Sequence, residues 1–196
     1  MQTKPKVIMP TQSTLILDGH LDLAYNALFH RRDLTRDVYT LREREDPRPS
    51  GPSHPDSLRE RKRQESPAKG TATVSFSEMR RGHVGIMLST IMSRVQMPTQ
   101  NLDDGARTQL AAHAQGQAHL HYYKALERAG QLRFIRTVED LDASVLDWSN
   151  PSTETPFGLI LSMESADPIL GPDQVGWWHD QGLRSVGLTH FGANTW

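Results

Sequence analysis

The chain of 196 residues contains no cysteine. Disulfide bridges, thiolate metal sites and a cysteine nucleophile are therefore excluded, and any metal must be held by His, Asp or Glu. Long apolar runs are missing too. Nowhere do about 18 apolar residues follow one another, so no membrane partner is expected. The opening MQTKPKVIMPTQSTLIL lacks an apolar stretch of signal-peptide length, which leads to the expectation of a cytoplasmic protein. Neither sign of charge dominates: 22 Lys and Arg stand against 23 Asp and Glu, for a formal net charge of -1. Such a balance gives no field that would gather nucleic acid or anionic lipid, so no nucleic-acid partner is expected and partners must be argued from sites. A glycine-rich phosphate loop after the first apolar run is also absent, which disfavours a dinucleotide-binding open sheet.

Apolar runs that end in polar residues recur along the chain. Residues 14–17 form a β-favouring run that leads into Asp18-Gly19-His20-Leu21-Asp22. Residues 84–91 and 157–163 are nearly continuous in apolar and small side chains, as strands covered on both faces should be. Between them, residues 103–129 are rich in Ala, Gln and Leu and are followed by Gly130, which predicts a long helix with a glycine at its C-terminal end. A short strand is expected over 134–137, a helix or turn over 138–146, a helix over 172–180, and a further strand over 183–189 with His190 at its end. Residues 31–72 turn to Arg, Glu, Asp, Pro and Ser and are read as a mobile polar insertion in a single domain spanning 1–196. The Arg59-Glu60-Arg61-Lys62-Arg63 run inside it reads as a solvated face. Alternating strands and helices imply an α/β fold. Polar residues at successive strand ends favour a (β/α)8 TIM-barrel type, with its site at the C-terminal rim.

His20 and Asp22 lie two apart on a predicted strand, so both side chains face one way and can chelate one ion. A turn aspartate beside a satisfied histidine is the plain alternative. Glu164 follows the most apolar strand, where an unpaired carboxylate is costly and calls for a cation or hydrogen-bond donors. His190 is a candidate ligand, or a donor to an oxygen gaining negative charge, with a packing role as the alternative. Asp167 and Arg184 are lesser candidates, read mainly as ion-pair residues. His119 and His121, two apart on a helix, point to different faces and are read with His113 as surface or partly packed residues.

Three segments taken in order, Asp18-Gly19-His20-Leu21-Asp22-Leu23, Gly158-Leu159-Ile160-Leu161-Ser162-Met163-Glu164 and Gly182 through His190, together resemble the membrane dipeptidases, the renal dipeptidase-like peptidases of family M19. The resemblance implies a zinc-dependent dipeptidase on a (β/α)8 barrel, of which this sequence matches about the first half. It implies that His20 and Asp22 bind one zinc, that Glu164 bridges two, and that His190 contacts substrate and polarises its carbonyl. The implied reaction is hydrolysis of a dipeptide by a metal-bridged hydroxide, with Glu164 and His190 as the catalytic residues present. Two further zinc-binding histidines, and an arginine and aspartate for substrate, come from later strands in that family. The expectation is therefore two zinc ions per complete site, at most one well held by this chain alone. A homodimer is possible on the same grounds. Ser165 replaces the small glycine common after the bridging glutamate. Two other readings stay open: a metal hydrolase of the wider amidohydrolase-like group acting on amides, lactams or esters, and a non-catalytic binding or structural remnant.

Overall fold

A computed structural model describes residues 14–45, 71–96 and 105–190. Among these, five strands alternate with helices in the order β1 (Ile16–Leu21), α1 (Leu23–Leu28), α2 (Val38–Glu45), α3 (Phe76–Arg81), β2 (Val84–Ile91), α4 (Gln109–Arg128), β3 (Leu132–Phe134), α5 (Val138–Asp147), β4 (Phe157–Met163), a 3-10 turn at Pro172–Gln174, α6 (Val175–Asp180) and β5 (Leu183–Val186). The helix starts follow from the sequence. Ser75, Thr108 and Thr137 accept hydrogen bonds from the backbone N–H groups of Glu78, Ala111 and Asp140, and Thr137 with Asp140 closes a reciprocal capping box. The long helix ends where Gly130 adopts a φ of 74°, the left-handed conformation that glycine accepts without strain.

Every strand pair is parallel. β2 is central to the path β1-β2-β4 and runs in unbroken register with β4 from Ile86↔Gly158 to Ile91↔Met163. The far edge of β4 is shared: β3 pairs with Phe157, Gly158 and Leu159, and β5 takes over at Leu161, Ser162 and Met163. Read along β1-β2-β4-β5, the principal strands therefore neighbour in sequence order, and their C-terminal ends form one rim. That rim is where α/β sheets and barrels of parallel strands put their chemistry.

The core lies between the sheet and the helices. Trp148 and Phe157 pack at 5.4 Å between ring centroids and Phe76 stacks on Phe157 at 5.7 Å. Gly85 in β2 has to be glycine there, because a Cβ would sit 2.2 Å from Trp148 Cδ2. Two expectations need correction. The polar insertion read over 31–72 does not begin at 31: Leu34, Val38 and Leu41 are buried in the core, and Arg32 forms an ion pair with Glu45 at 2.6 Å. Ala72 is fully buried at the other end, where its carbonyl accepts from Arg42 Nε at 2.7 Å. Three apolar side chains, Leu34 in the turn before the helix and Val38 and Leu41 on one face of it, suffice to anchor this segment despite its charged composition. The middle of the insertion, 46–70, lies outside the described residues. The last strand is also shorter than expected, ending at Val186, so His190 sits in the loop beyond it.

Candidate metal centre

β1 delivers His20 within the strand and Asp22 one residue past its end, and β4 delivers Glu164 one residue past its own. Both ends are held to β2 between them: Glu164 N donates to Ile91 O at 3.1 Å, and β1 pairs with β2 as far as Leu21↔Ser89. The strand's period of two holds for the first pair: His20 Nε2 and Asp22 Oδ2 are 3.6 Å apart. His20 Nε2 also contacts Glu164 Oε1. One ligand atom from each of His20, Asp22 and Glu164 lies within 4.8 Å of the others, and this is the one such cluster among the described residues. His190 approaches from the loop after β5, its Nε2 3.4 Å from Glu164 Oε2.

The cluster is graded in exposure: the Glu164 side chain is 7% exposed and that of His20 58%, so the glutamate forms the floor and the histidine the lip. Burial first, and then the neighbouring Asp22 carboxylate, push the Glu164 carboxyl above its ordinary range, against the opposing charges of His190, His20 and Arg94. Glu164 Oε1 is buried, and among the described residues its polar contact is the ion pair with His20 Nε2, with no hydrogen bond of regular geometry. A buried carboxylate oxygen in that condition is costly, and a cation between it, an imidazole nitrogen and a second carboxylate relieves the cost. One nitrogen and two carboxylate oxygens suit zinc and similar divalent ions, with coordination positions left over for water or substrate. The residues present fit a metal ion.

Around this cluster stand residues that the sequence reading passed over. The Thr90 hydroxyl donates to Asp22 Oδ1. Tyr123 of α4, fully buried, donates its hydroxyl to Thr90 O at 2.8 Å. His119 is buried, contrary to its reading as a surface or partly packed residue, and burial holds its imidazole down at about 4 while the Asp22 charge opposes. Its Nδ1 accepts from Met92 N at 3.4 Å. The signal that could have found it is the helical stripe Ala112, Gly116, His119, Leu120 and Tyr123, all on the buried face of α4. Comparing His119 only with His121 hides that stripe. His121 is exposed, and His113 is half-buried against Pro168 O.

Two lesser candidates are placed elsewhere. Asp167 is fully buried and its Oδ2 accepts from Val95 N at 2.7 Å, which ties the loop after β4 to the loop after β2. Arg184 is exposed and binds the carbonyls of Arg136 and His179. Both fasten backbone.

No protein-family model matches the sequence, and no curated protein does either. Solved structures match its fold. The chain superposes on dipeptidase AC, a metallo peptidase of family M19, with a TM-score of 0.55 at 19% identity over 90% of this chain and 43% of that one. It is similar to the probable dipeptidase PvdM from Pseudomonas aeruginosa, with a TM-score of 0.57 at 15% identity over 93% of this chain and 36% of that one. A metallo peptidase from Rhodobacter sphaeroides, liganded with a phosphinate mimic of the dipeptide L-Ala-D-Ala, gives 0.55 at 18% identity over 90% and 45%. The chain thus spans less than half the length of each. Its parallel strands, arranged in sequence order with polar residues at their C-terminal rim, carry part of the TIM-barrel-like α/β fold of the M19 metallo dipeptidases.

Proposed function

We propose that the rim of this sheet is part of a metal-dependent hydrolytic site for dipeptides, in which His20, Asp22 and Glu164 hold a zinc-type divalent ion and His190 meets the substrate. The observation that carries this reading is the convergence of three ligand atoms within 4.8 Å from two strand ends far apart in sequence, with the buried Glu164 Oε1 directed at His20 Nε2. When bound, such an ion supplies Lewis acidity toward a carbonyl oxygen and lowers the pKa of water toward neutrality. The chain's own residues prepare for it. His20 offers a ring nitrogen at the solvent-facing lip, and Asp22 keeps Oδ2 available because Thr90 occupies Oδ1. Glu164 supplies negative charge from a dry floor. In this reading His190 donates from its ring to an oxygen that gains negative charge as a carbonyl is attacked, which its place beside Glu164 supports.

The choice of dipeptides over other amides rests on the solved structures of similar fold, two of them dipeptidases by name and a third liganded with a dipeptide mimic. The test is metal content per chain, with hydrolysis of a dipeptide panel before and after chelation, and lactams and esters run in parallel. Stoichiometric zinc that is lost in Glu164→Gln, with chelator-sensitive cleavage of dipeptides, is the expected result. Zinc binding with cleavage of lactams or esters only would replace dipeptides as the substrate. Absence of both metal and cleavage would refute the reading.

A further inference from the structure

Asp22 stands at the N-cap of α1, yet its carboxylate makes no capping hydrogen bond. This is unusual chemistry for the position. An aspartate at an N-cap ordinarily turns its carboxylate onto the backbone N–H two or three residues on, because the first N–H groups of a helix have no partner within it. Here the N–H two residues on, that of Ala24, donates instead to the phenol oxygen of Tyr123 at 3.1 Å, 99 positions away on α4. The same hydroxyl donates a hydrogen bond to Thr90 O at 2.8 Å, and the Thr90 side chain donates to Asp22 Oδ1. All of this is sealed from water at its centre, since Ala24 and Tyr123 are fully buried and Thr90 is 1% exposed. Burial drives the phenol far above its ordinary pKa, so it remains a neutral hydroxyl, able to accept and donate at once.

We infer that Tyr123 is a positioning residue that caps α1 in place of Asp22 and thereby releases the Asp22 carboxylate to face His20 and Glu164 as a ligand. The inference rests on the metal-site reading for its consequence, although the cap exchange itself does not. A carboxylate with a free choice between a helix N-terminus and a neighbouring carboxylate goes to the helix, where the partial positive charge lies. Approach to Glu164 without an ion is repulsive. With Ala24 N already satisfied by the phenol, that competing position is filled, and Thr90 fixes which of the two oxygens stays outward. The long helix α4 thus prepares a ligand on a strand end it does not belong to, as outer groups around metal ligands commonly do.

The variant Tyr123→Phe keeps the ring and removes the hydroxyl. Its structure, determined without added metal, is expected to show Asp22 rotated so that a carboxylate oxygen lies within hydrogen-bond distance of Ala24 N. An unmoved Asp22 with Ala24 N unsatisfied overturns the inference, whether or not the chain binds metal. In zinc titrations against a chromophoric chelator, Tyr123→Phe is expected to weaken binding about tenfold to a hundredfold. The loss should vanish in an Asp22→Ala background, whereas additive losses indicate a merely structural tyrosine and overturn the proposal. Should Tyr123→Phe not fold, Asp22→Ala alone decides. With Tyr123 intact as the cap, its thermal midpoint is expected to fall no further than that of Thr90→Val, which loses the same Thr90–Asp22 hydrogen bond, and a clearly larger fall shows that Asp22 is the cap after all.

Discussion

His119 offers a test of how tightly α4 is sealed against the site. Its imidazole, 6% exposed, is held at about 4 in the folded chain against an ordinary value of 6.5. Between those values the unfolded chain binds a proton that the folded chain refuses, so stability rises with pH in that window and falls as the solution is acidified through it. Above 6.5 both states are neutral and the contribution is complete; below about 4 both are charged and it is fully lost. The gap corresponds to on the order of 3 kcal/mol, a large share of the stability of a domain this size. The clean comparison is His119→Asn, which keeps a hydrogen-bond acceptor for Met92 N but cannot titrate. Urea unfolding with chelator present, at intervals from pH 7 to pH 4, should show the wild type losing stability more steeply than the variant. Carboxylates such as those of Asp33 and Asp140, whose values are lowered by hydrogen bonds, contribute mainly at the acid end and cancel in the difference. Parallel curves for the two proteins would show that water reaches His119 and would refute the sealed-helix argument.

Other outcomes follow from the same geometry. Gly85→Ala is expected to destabilise by about 1–3 kcal/mol or more, because the new Cβ meets the Trp148 ring at 2.2 Å; a chemical denaturation midpoint reads this directly. Trp148→Ala should cost about 3–5 kcal/mol through the cavity left beside Phe157 and the loss of its hydrogen bond to Pro156 O. Thr90→Val, nearly the same shape without the hydroxyl, should lower zinc affinity about tenfold, and Thr90→Ser should restore it; isothermal titration separates the three. His190→Ala is expected to leave metal content unchanged and to cut turnover by about a hundredfold or more, so loss of metal in that variant would reassign His190 as a ligand.

Much of the candidate cluster was legible from one-dimensional rules. Period two on a strand put His20 and Asp22 on one side, and a carboxylate at the end of an apolar run marked Glu164. What those rules lacked was any way to see across elements. His119 and Tyr123 belong to a helical stripe whose importance lies in what it faces, and no spacing within α4 says that Tyr123 will meet Ala24. Composition misled at residues 31–45, where a charged segment hides three apolar anchors. His190 was assigned to a strand that stops at Val186, because the apolar pattern of 183–189 continues after β5 has ceased to pair with β4.

The sequence by itself determined the alternation of strands and helices along most of the chain, the glycine at the end of the long helix, and the candidate ligands, because these depend on period, propensity and neighbouring residue types. Only the tertiary structure decided that the two ligand-bearing strand ends meet. It also decided that β3 and β5 divide one edge of β4, and that a tyrosine from α4 satisfies the helix start beside Asp22. Those outcomes turn on contacts between residues up to 144 positions apart, as from His20 to Glu164, and local pattern holds no information on which distant partner a buried polar group will find.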